Sequence, residues 1–459
     1  MNKITFFGGA QEVTGANYLL EVGTSSGQTT KILVDCGMVQ SGRFVEADNQ
    51  KPFPYDVSTI DALFVTHAHI DHVGRIPKLL RDGFKGTIYS AEPTRDLGEL
   101  MLRDSLGVLT KEAHMHNEQV FYSEDDIAHA MNQWHGTQYH VPIPVGPLEI
   151  VLRDSGHILG SSMIDIREKE SEDKMTILFT GDLGNSPAPL MPPIEKVTDA
   201  NYLIIESAYG DRVHEDRENR KIKLERVVED TLADKGVLMI PAFSLERTQD
   251  LLFEINELVE HHRIPPAPIF IDSPLAINAT TIYQKYKQYF NDEAKRIMRA
   301  GDDLFRFPGL QMTKTVEESK HINEVPAPKV IVAGAGMMQG GRILHHAIRY
   351  LPDSQNTLLF IGYQTAGSLG RRLLDGAKEV SIHGEKIPVR AKIQAIGGYS
   401  AHADSNGLFN FVENTRDTLK KVFVVQGEPA ASLFLVQRIR DNLGTDAVAP
   451  KYGDSFDFT

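Results

Sequence analysis

The sequence predicts an α/β fold, and two observations support this prediction. Between about 208 and 390, apolar runs of strand length alternate with stretches of helical pattern, as around 268–274 and 329–336. Strands that alternate with helices form a parallel sheet with helices on its faces. Before this block, residues 1 to about 65 alternate strand-like runs with glycine-rich turns. A chain of 459 residues is long enough for two or three such domains.

The composition is that of an ordinary globular protein and excludes several classes. Hydrophobic residues make up 41% of the chain, and its one cysteine, Cys36, rules out both a disulfide framework and a cysteine zinc site. No apolar window approaches 18 residues and no signal-like segment precedes the first strand-like run, so we expect no membrane partner and a cytoplasmic location. The net charge of -14 disfavours nucleic acid as a partner, unless contacts are confined to one cleft.

The densest group of metal-type side chains follows the apolar run 62–65. His67, His69, Asp71 and His72 lie close together in a chain with only 17 histidines. The apolar run predicts a buried strand, so the group stands where that strand ends. Neutral imidazole and carboxylate are ligand types that suit zinc. A polar loop with chance histidines is the alternative, but the clustering favours a metal site.

Other strand-like runs also end in metal-type residues. By itself, Asp35 indicates either a turn residue or a carboxylate that orients a ligand histidine. Two metal ions about 3.5–4 Å apart need a bridging carboxylate and several terminal ligands. His157 and Asp182 lie at such positions and, together with the first cluster, suit a two-metal site. Asp35 and Glu206 are further carboxylates at strand ends, His402 lies in a later stretch of metal-type residues, and Gln426 follows one more strand-like run as a polar residue.

Two glycine-rich loops follow strands in the second half of the chain, at 334–342 and 362–372. Backbone amides at a loop-to-helix junction can hold phosphate, and arginines add positive charge. Tight turns that merely need glycine are the alternative, because neither loop matches a P-loop or a dinucleotide fingerprint. The candidate substrate-binding residues in these loops are Gly336, Arg342, Ser368, Arg371 and Arg372.

These residues resemble the metallo-β-lactamase superfamily and, within it, the β-CASP nucleases, which include the mRNA 3′-end processing endonuclease and its prokaryotic relatives. The run from His67 to His72 matches the superfamily's His-x-His-x-Asp-His signature. Glu206 in Glu-Ser-x-Tyr-Gly and His402 in Ser-Ala-His-x-Asp resemble the first two β-CASP motifs. Asp35, His157 and Asp182 match the remaining superfamily motifs in order, so the resemblance covers essentially the whole chain.

The resemblance implies a metallo-β-lactamase αββα sandwich over 1–207 and 391–459, with an inserted α/β β-CASP domain over 208–390. It also implies two zinc ions per chain. One zinc would bind His67, His69, His157 and Asp182, and the other would bind Asp71, His72 and the shared Asp182. Glu206 and His402 would form a hydrogen-bonded pair in which His402 is the general acid, and Asp35 would hold the geometry from behind.

Gln426 departs from the family pattern. RNA-cleaving members usually carry a histidine here, within Val-His-Gly-Glu, and this histidine completes the second zinc site. The present sequence reads Val-Gln-Gly-Glu, and a glutamine oxygen is a weaker, uncharged ligand. We therefore expect the second zinc to be looser, exchangeable or capped by water. DNA-processing members also lack this histidine, so RNA and DNA both remain open as substrates.

The expected activity is zinc-dependent hydrolysis of single-stranded RNA by two-metal catalysis, as an endoribonuclease with or without 5′-exonuclease activity. Three alternatives stay open: a DNA nuclease, a hydrolase of small esters or thioesters on the same fold, and a weakly active scaffold subunit. The inserted domain and His402 argue against small substrates, which need neither. Whether the chain forms a homo-oligomer also stays open.

Overall fold

The structure is a computed structural model that describes residues 2–23, 27–40, 45–116, 119–169, 175–214, 219–365 and 367–458. The chain forms two compact units. Unit 1 comprises Met1–Ser186, Pro193–Val213 and His402–Thr459, and unit 2 comprises Pro187–Pro192 and His214–Ala401. Within the described ranges, no helix has both the length and the apolar character needed to cross a membrane.

Most strands of the two sheets of unit 1 come from its first part, 1–186, and one more comes from its second part, 193–213. In chain order the elements are β1 (Asn2–Phe6), β2 (Tyr18–Gly23), β3 (Thr29–Val34), α1 (Val45–Gln50), β4 (Ala62–Phe64), α2 (Ile70–Val73), α3 (Ile76–Arg81), β5 (Thr87–Ala91), α4 (Glu92–His116), α5 (Glu124–Gln133), β6 (Trp134–Thr137), β7 (Ile143–Val145), β8 (Leu148–Asp154), β9 (Ser162–Glu168), β10 (Thr176–Phe179) and β11 (Tyr202–Glu206).

Unit 2 then alternates helices and strands, and the chain afterwards returns to unit 1. The elements of unit 2 are α6 (Arg220–Ala233), β12 (Val237–Pro241), α7 (Arg247–Glu260), β13 (Ile269–Asp272), α8 (Pro274–Lys285), α9 (Asp292–Arg299), β14 (Leu310–Met312), α10 (Val316–His321), β15 (Lys329–Ala333), α11 (Ile343–Tyr350), β16 (Thr357–Phe360), α12 (Leu369–Leu374), β17 (Glu379–Ile382), β18 (Glu385–Pro388) and β19 (Lys392–Ala395). Unit 1 resumes with α13 (Ser405–Thr415), β20 (Lys421–Val425), α14 (Pro429–Leu443), β21 (Ala447–Val448) and β22 (Ser455–Phe458).

Unit 1 is a sandwich of two sheets with helices on both outer sides. The strand orders are β22-β1-β2-β3-β4-β5-β6 and β21-β20-β11-β10-β9-β8-β7. Alternate residues of a strand face opposite sides of its sheet. In β10, Ile177 and Phe179 therefore join the core between the sheets, whereas Leu178 packs in an outer cluster with Phe411 of α13. A matching outer cluster on the first sheet includes Leu63 of β4. The predicted αββα sandwich is confirmed.

Unit 2 contains a parallel sheet of strand order β14-β13-β15-β12-β16-β19 and a small antiparallel hairpin of β17 and β18. Its central strands are buried on both faces, which explains their nearly continuous apolar sequences. The strands predicted around 268–274 and 329–336 are β13 and β15. The α/β class predicted for this block is therefore confirmed.

Candidate metal centre

The site residues of unit 1 stand where strands end. Asp35 directly follows β3, Gln426 directly follows β20, and Asp182 lies three residues beyond β10. The backbone turns sharply at these points, with positive φ values of 60° at Asp35, 49° at Gln426 and 53° at Gly181. Non-glycine residues seldom adopt this left-handed conformation, so the surrounding contacts must hold Asp35 and Gln426 in place.

Four ligand-type atoms converge in the first cluster. His67 Nε2 lies 3.0 Å from His69 Nδ1 and 3.3 Å from Asp182 Oδ2. His157 Nε2 lies 3.3 Å from His69 Nδ1 and 3.5 Å from Asp182 Oδ2. All four atoms are within 4.8 Å of one another. The structure thus brings together the predicted ligands His67, His69, His157 and Asp182, from three separate stretches of the chain.

These separations fit a zinc ion. Zinc binds imidazole and carboxylate at about 2.0–2.2 Å in a tetrahedron, which places its ligand atoms about 3.3 Å from one another. The four separations just described span 3.0 to 3.5 Å. Each neutral imidazole can present a lone pair on the nitrogen that faces this point, and the carboxylate presents its own, so these atoms can bind a cation between them. The chemistry and the spacing of this donor set both match zinc.

Burial and charge prepare these groups to bind a cation. Burial lowers the pKa of His67, and it lowers the pKa of His69 and His157 well below the usual histidine range, with neighbouring imidazoles adding to the effect. Burial alone would raise the pKa of Asp182, but the imidazoles of His67 and His72 hold it well below its usual value. Burial thus favours the neutral form of His67, His69 and His157, and the neighbouring imidazoles favour the ionised form of Asp182; these are the forms that bind zinc.

His72 and Asp71 lie on the other side of Asp182. His72 Nε2 is 3.5 Å from Asp182 Oδ1 and 3.8 Å from Asp71 Oδ2. Burial alone would lower the pKa of His72, but the surrounding carboxylates of Asp182, Asp35 and Asp71 raise it well above its usual value. Gln426 Nε2 also reaches this position, 2.8 Å from His72 Nε2 and 3.2 Å from Asp182 Oδ1.

Asp35 and Thr66 orient the histidines from behind. Asp35 Oδ2 lies 2.7 Å from His72 Nδ1 and accepts a hydrogen bond from Thr66 Oγ1 at 2.8 Å. The Thr66 hydroxyl also lies 3.1 Å from His67 Nδ1 and 3.2 Å from His72 Nδ1. Sequence analysis missed Thr66, although its position directly before the first histidine was a signal. Such contacts fix the rings of metal-binding histidines.

Tyr18 is a second residue that sequence analysis missed. Its side chain is buried in unit 1, and its hydroxyl has no hydrogen-bond partner among the described residues. Burial raises the pKa of Tyr18 well above its usual value, and the charges of Asp35, Asp182 and Asp71 add to the rise. The hydroxyl therefore lies within electrostatic reach of the carboxylates around the metal position. Nothing in the local sequence of β2 distinguishes Tyr18 from an ordinary core tyrosine.

His402 and Glu206 form a pair beside the first cluster. His402 Nδ1 lies 3.2 Å from Glu206 Oε2 and 3.7 Å from Asp182 Oδ2. The backbone amides of Leu183 and Ala208 donate to Glu206 at 2.7 and 3.3 Å. Burial raises the pKa of the Glu206 carboxyl. Asp182, Glu206 and His402 are also close enough to hold an ion, but with these partners Glu206 is better suited to orient His402.

The predicted substrate-binding arginines of unit 2 differ in their surroundings. Arg342 Nη1 donates to Asp272 Oδ1 at 2.7 Å, and Arg342 also donates to two backbone carbonyl oxygens. Arg371 pairs with Asp375 at 3.0 Å. Arg372 is exposed, and the described residues include no ion-pair partner for it. Two of the three guanidinium groups are therefore already neutralised within unit 2.

The two predicted glycine-rich loops place their small residues differently. A side chain at Gly336 would collide with the ring of Phe243, with the added Cβ atom only 2.7 Å away. Ser368 caps α12, because its hydroxyl accepts a hydrogen bond from Arg371 N at 3.1 Å. Both positions thus have a local structural reason for a small residue. Ala366, in the second loop, lies outside the described residues.

Three family models match separate parts of the chain. The metallo-β-lactamase superfamily model matches residues 13–148, and the Beta-Casp domain model matches residues 248–373. The model of the Zn-dependent metallo-hydrolase RNA specificity domain matches residues 386–450. The first match contains the His67–His72 cluster, and the third contains His402 and Gln426.

Several characterised proteins are similar along most of the chain. Ribonuclease TTHA0252 of Thermus thermophilus is 35% identical over 438 residues, covering 94% of this chain and 95% of the relative. The RNase J-like protein of Methanocaldococcus jannaschii is 32% identical and covers 99% of both chains. The transcription termination factor FttA of the same organism is 31% identical, with 95% of this chain and 69% of the factor covered.

A crystal structure of a protein of unknown function from Enterococcus faecalis V583 has a similar fold. Its TM-score is 0.57 at 12% sequence identity, and the match covers 99% of both chains. At this identity the likeness concerns the fold alone. Family membership is shown instead by the sequence similarity to TTHA0252 and the RNase J-like protein, together with the three matched models. The chain belongs to the β-CASP family of the metallo-β-lactamase superfamily.

Proposed function

We propose that this protein is a zinc-dependent ribonuclease that hydrolyses phosphodiester bonds in single-stranded RNA. The observation that carries the proposal is the convergence of four lone-pair atoms, from His67, His69, His157 and Asp182, at separations suited to zinc. RNA as the substrate is supported by the match to the RNA specificity domain and by the similarity to a protein named as a ribonuclease.

The first zinc would be held by His67, His69, His157 and Asp182. Zinc bound there supplies a Lewis acid that polarises the phosphate and activates water for attack. The weaker second position would be formed by Asp71, His72 and Asp182, with Gln426 in place of the usual histidine. Asp35 and Thr66 would keep His72 in the orientation that this position requires.

His402 would act as the general acid, with Glu206 as its partner. The Nδ1 atom of His402 faces Glu206, so Nε2 is the ring nitrogen that would deliver a proton to the departing oxygen. The His402 side chain is a quarter exposed, at 25%, which leaves it accessible to a substrate. A positioned acid of this kind contributes about 10²- to 10⁴-fold in rate.

We assign RNA contacts to the β-CASP domain over 208–390 and the metals to the domain formed by 1–207 and 391–459. Within the two glycine-rich loops, Gly336 and Ser368 would let the backbone approach the substrate closely. Arg342 and Arg371 are already paired with Asp272 and Asp375. We therefore expect Arg372 to contribute most of the positive charge that phosphate meets in these loops.

The test is cleavage of an end-labelled single-stranded RNA by the wild type, by chelator-treated protein and by the His67→Ala variant. We expect the chelator and the substitution each to reduce cleavage at least about 10³-fold, because each removes the Lewis acid that supplies several kcal/mol. Added zinc should restore only the chelated wild type. The matched control is His129→Ala, which removes an exposed histidine outside the centre and should cleave normally.

Parallel reactions with single-stranded DNA and a chromogenic ester separate the alternative functions. Preference for DNA or for the ester would replace the ribonuclease proposal with one of those activities. Cleavage of none of the three substrates by zinc-loaded wild type would favour a scaffold role. RNA cleavage that survives His67→Ala at the wild-type rate would contradict the zinc mechanism.

A further inference from the structure

Gln426 brings two hydrogen-bond donors to the centre as a neutral side chain. It is 3% exposed, and its amide nitrogen lies 2.8 Å from His72 Nε2 and 3.2 Å from Asp182 Oδ1. These two atoms are the ones that would bind a second zinc from His72 and Asp182. The side-chain amide therefore lies where that ion would otherwise make its bonds.

The neighbouring atoms decide which end of the amide points inward. A carboxylate only accepts hydrogen bonds, so Asp182 Oδ1 requires an N–H group. In the neutral tautomer that donates its Nδ1–H to Asp35, at 2.7 Å, His72 presents a lone pair at Nε2 and can also accept a hydrogen bond. The NH₂ group of Gln426 carries two protons and can donate to both atoms at once. The amide oxygen, if turned inward, would instead face the Asp182 oxygen, so the network assigns the nitrogen to this position.

The backbone and Gly9 hold the side chain in this place. Gln426 has a φ of 49°, its backbone N–H donates to Gly9 O at 2.6 Å, and its carbonyl oxygen accepts from Ser207 N at 3.4 Å. A Cβ atom added at Gly9 would lie only 3.1 Å from Gln426 Cγ. The Gln426 side chain is thus confined between Gly9, His72 and Asp182.

We propose that the Gln426 amide takes the place of the second metal ion, so that the centre works with one tightly held zinc. This inference rests on the zinc centre of the proposed function. The amide supplies directional hydrogen bonds that hold the side chains of Asp182 and His72 in a fixed orientation, but it brings no charge to the centre. A second zinc would have to break both hydrogen bonds, turn the amide around and accept a neutral oxygen as its ligand.

The two oxygens of Asp182 then have different roles. Oδ2 faces the first cluster, 3.3 Å from His67 Nε2 and 3.5 Å from His157 Nε2. Oδ1 accepts the hydrogen bond from Gln426 at 3.2 Å. Asp182 is therefore a terminal ligand of one zinc, oriented by an amide, rather than a bridge between two ions. Gln426 is a positioning residue that acts through Asp182 and His72.

The test is a zinc count by native mass spectrometry after dialysis against a weak chelator, on the wild type, Gln426→His and Gln426→Leu. We expect one zinc in the wild type, two in Gln426→His and one in Gln426→Leu. The second zinc should bind at least about 10-fold more tightly to Gln426→His than to the wild type. Two retained zinc ions in the wild type, or one in a folded Gln426→His, would overturn the proposal.

The melting temperature tests the hydrogen bonds separately from the count. Gln426→Leu leaves Asp182 Oδ1 and His72 Nε2 without their donor. The one-zinc form of this variant should therefore melt about 2–4 °C below the one-zinc wild type. An unchanged melting temperature would show that the amide does not hold these groups. Cobalt titration of metal-free wild type, followed by visible absorption, should saturate at one equivalent and needs no variant; saturation at two would overturn the proposal.

These readouts do not use RNA, so they separate this inference from the proposed function. One zinc in the wild type together with no RNA cleavage would leave the amide assignment standing and remove the ribonuclease proposal. Two zinc ions in the wild type together with RNA cleavage would overturn the amide assignment and leave the ribonuclease proposal standing. A wild type that retains no zinc when zinc is in excess would overturn both.

Discussion

Asp182 in unit 1 and Asp272 in unit 2 are both buried carboxylates at strand ends, yet their neighbours differ in kind. Asp272 ends β13 and accepts hydrogen bonds from side chains that include Arg342 and His346, each at 2.7 Å. Asp182 instead shares its surroundings with the lone pairs of His67 and His157. The chain thus surrounds Asp272 with positive charge and Asp182 with further ligand atoms.

This difference shows how a metal site can be told apart from a structural ion pair. A buried charge needs a partner of opposite sign. Arg342 meets that need for Asp272 and is always charged. Near Asp182, burial lowers the pKa of His67, His69 and His157. These three imidazoles therefore add little positive charge of their own. His72, whose pKa is raised, stands beside Asp182 as well, and a zinc ion would add the positive charge that the other three imidazoles do not supply.

The largest expected difference between the two carboxylates is in how their substitution affects zinc binding. Asp182→Asn should lose the zinc and at least about 10³-fold of the RNA cleavage rate, because a neutral amide neither binds zinc well nor balances its charge. Asp272→Asn should retain the zinc and the cleavage rate under conditions in which the protein stays folded. The measurements are zinc content by mass spectrometry and initial rates on labelled RNA. Full zinc content in Asp182→Asn would remove the distinction between the two carboxylates.

The next effect concerns the stability of unit 2. Asp272→Asn removes the counter-charge of a mostly buried Arg342, so we expect a loss of about 3 kcal/mol in the free energy of unfolding. Urea unfolding followed by circular dichroism measures this loss. Asp375→Asn is the matched control, because its ion pair with Arg371 is exposed and its loss should barely change the free energy of unfolding. Equal effects of the two variants would contradict the structural role of Asp272.

The smallest effect is a dependence of stability on pH. Burial alone would raise the pKa of Asp272, but hydrogen bonds from His346, Ser319, Thr313 and Arg342 lower it from 3.8 to about 2. Because the folded pKa lies below the unfolded one, the stabilisation is complete above about pH 4 and is lost as the pH falls towards 2. The difference in stability between wild type and Asp272→Asn should shrink over this interval. A constant difference between pH 4 and pH 2 would exclude this titration.

Local patterns predicted the α/β class and the cluster from His67 to His72, whereas the αββα arrangement was implied by the family resemblance. Alternating apolar residues mark the strands, and the metal-type residues stand directly at their ends. After the cluster, the chain forms two short helices, α2 and α3, separated by Gly74 and Arg75. The Arg75 side chain donates to Gly37 O at 2.7 Å, a contact between distant parts of the sequence.

Contacts of that kind explain what sequence reasoning could not reach. Arg342 stands in a glycine-rich loop, which suggested phosphate binding, but its partner Asp272 lies 70 residues away along the chain. Gln426 was recognised as a departure from the family pattern, yet its hydrogen bond to His72 joins residues 354 positions apart. Sequence spacing reveals which groups are present, whereas only the fold reveals which of them already have partners.

The order of the site along the chain also sets the order in which a ribosome delivers it. His67, His69, His157 and Asp182 all emerge before the residues of unit 2 from His214 onwards, whereas His402 emerges after them. About 220 residues separate Asp182 from His402, which corresponds to roughly 10–40 s of translation at about 5–20 residues per second. During that interval the nascent chain carries the proposed zinc ligands but lacks the proposed proton donor. With these roles, a nuclease that is made on an RNA template receives its acid only after unit 2 has been synthesised.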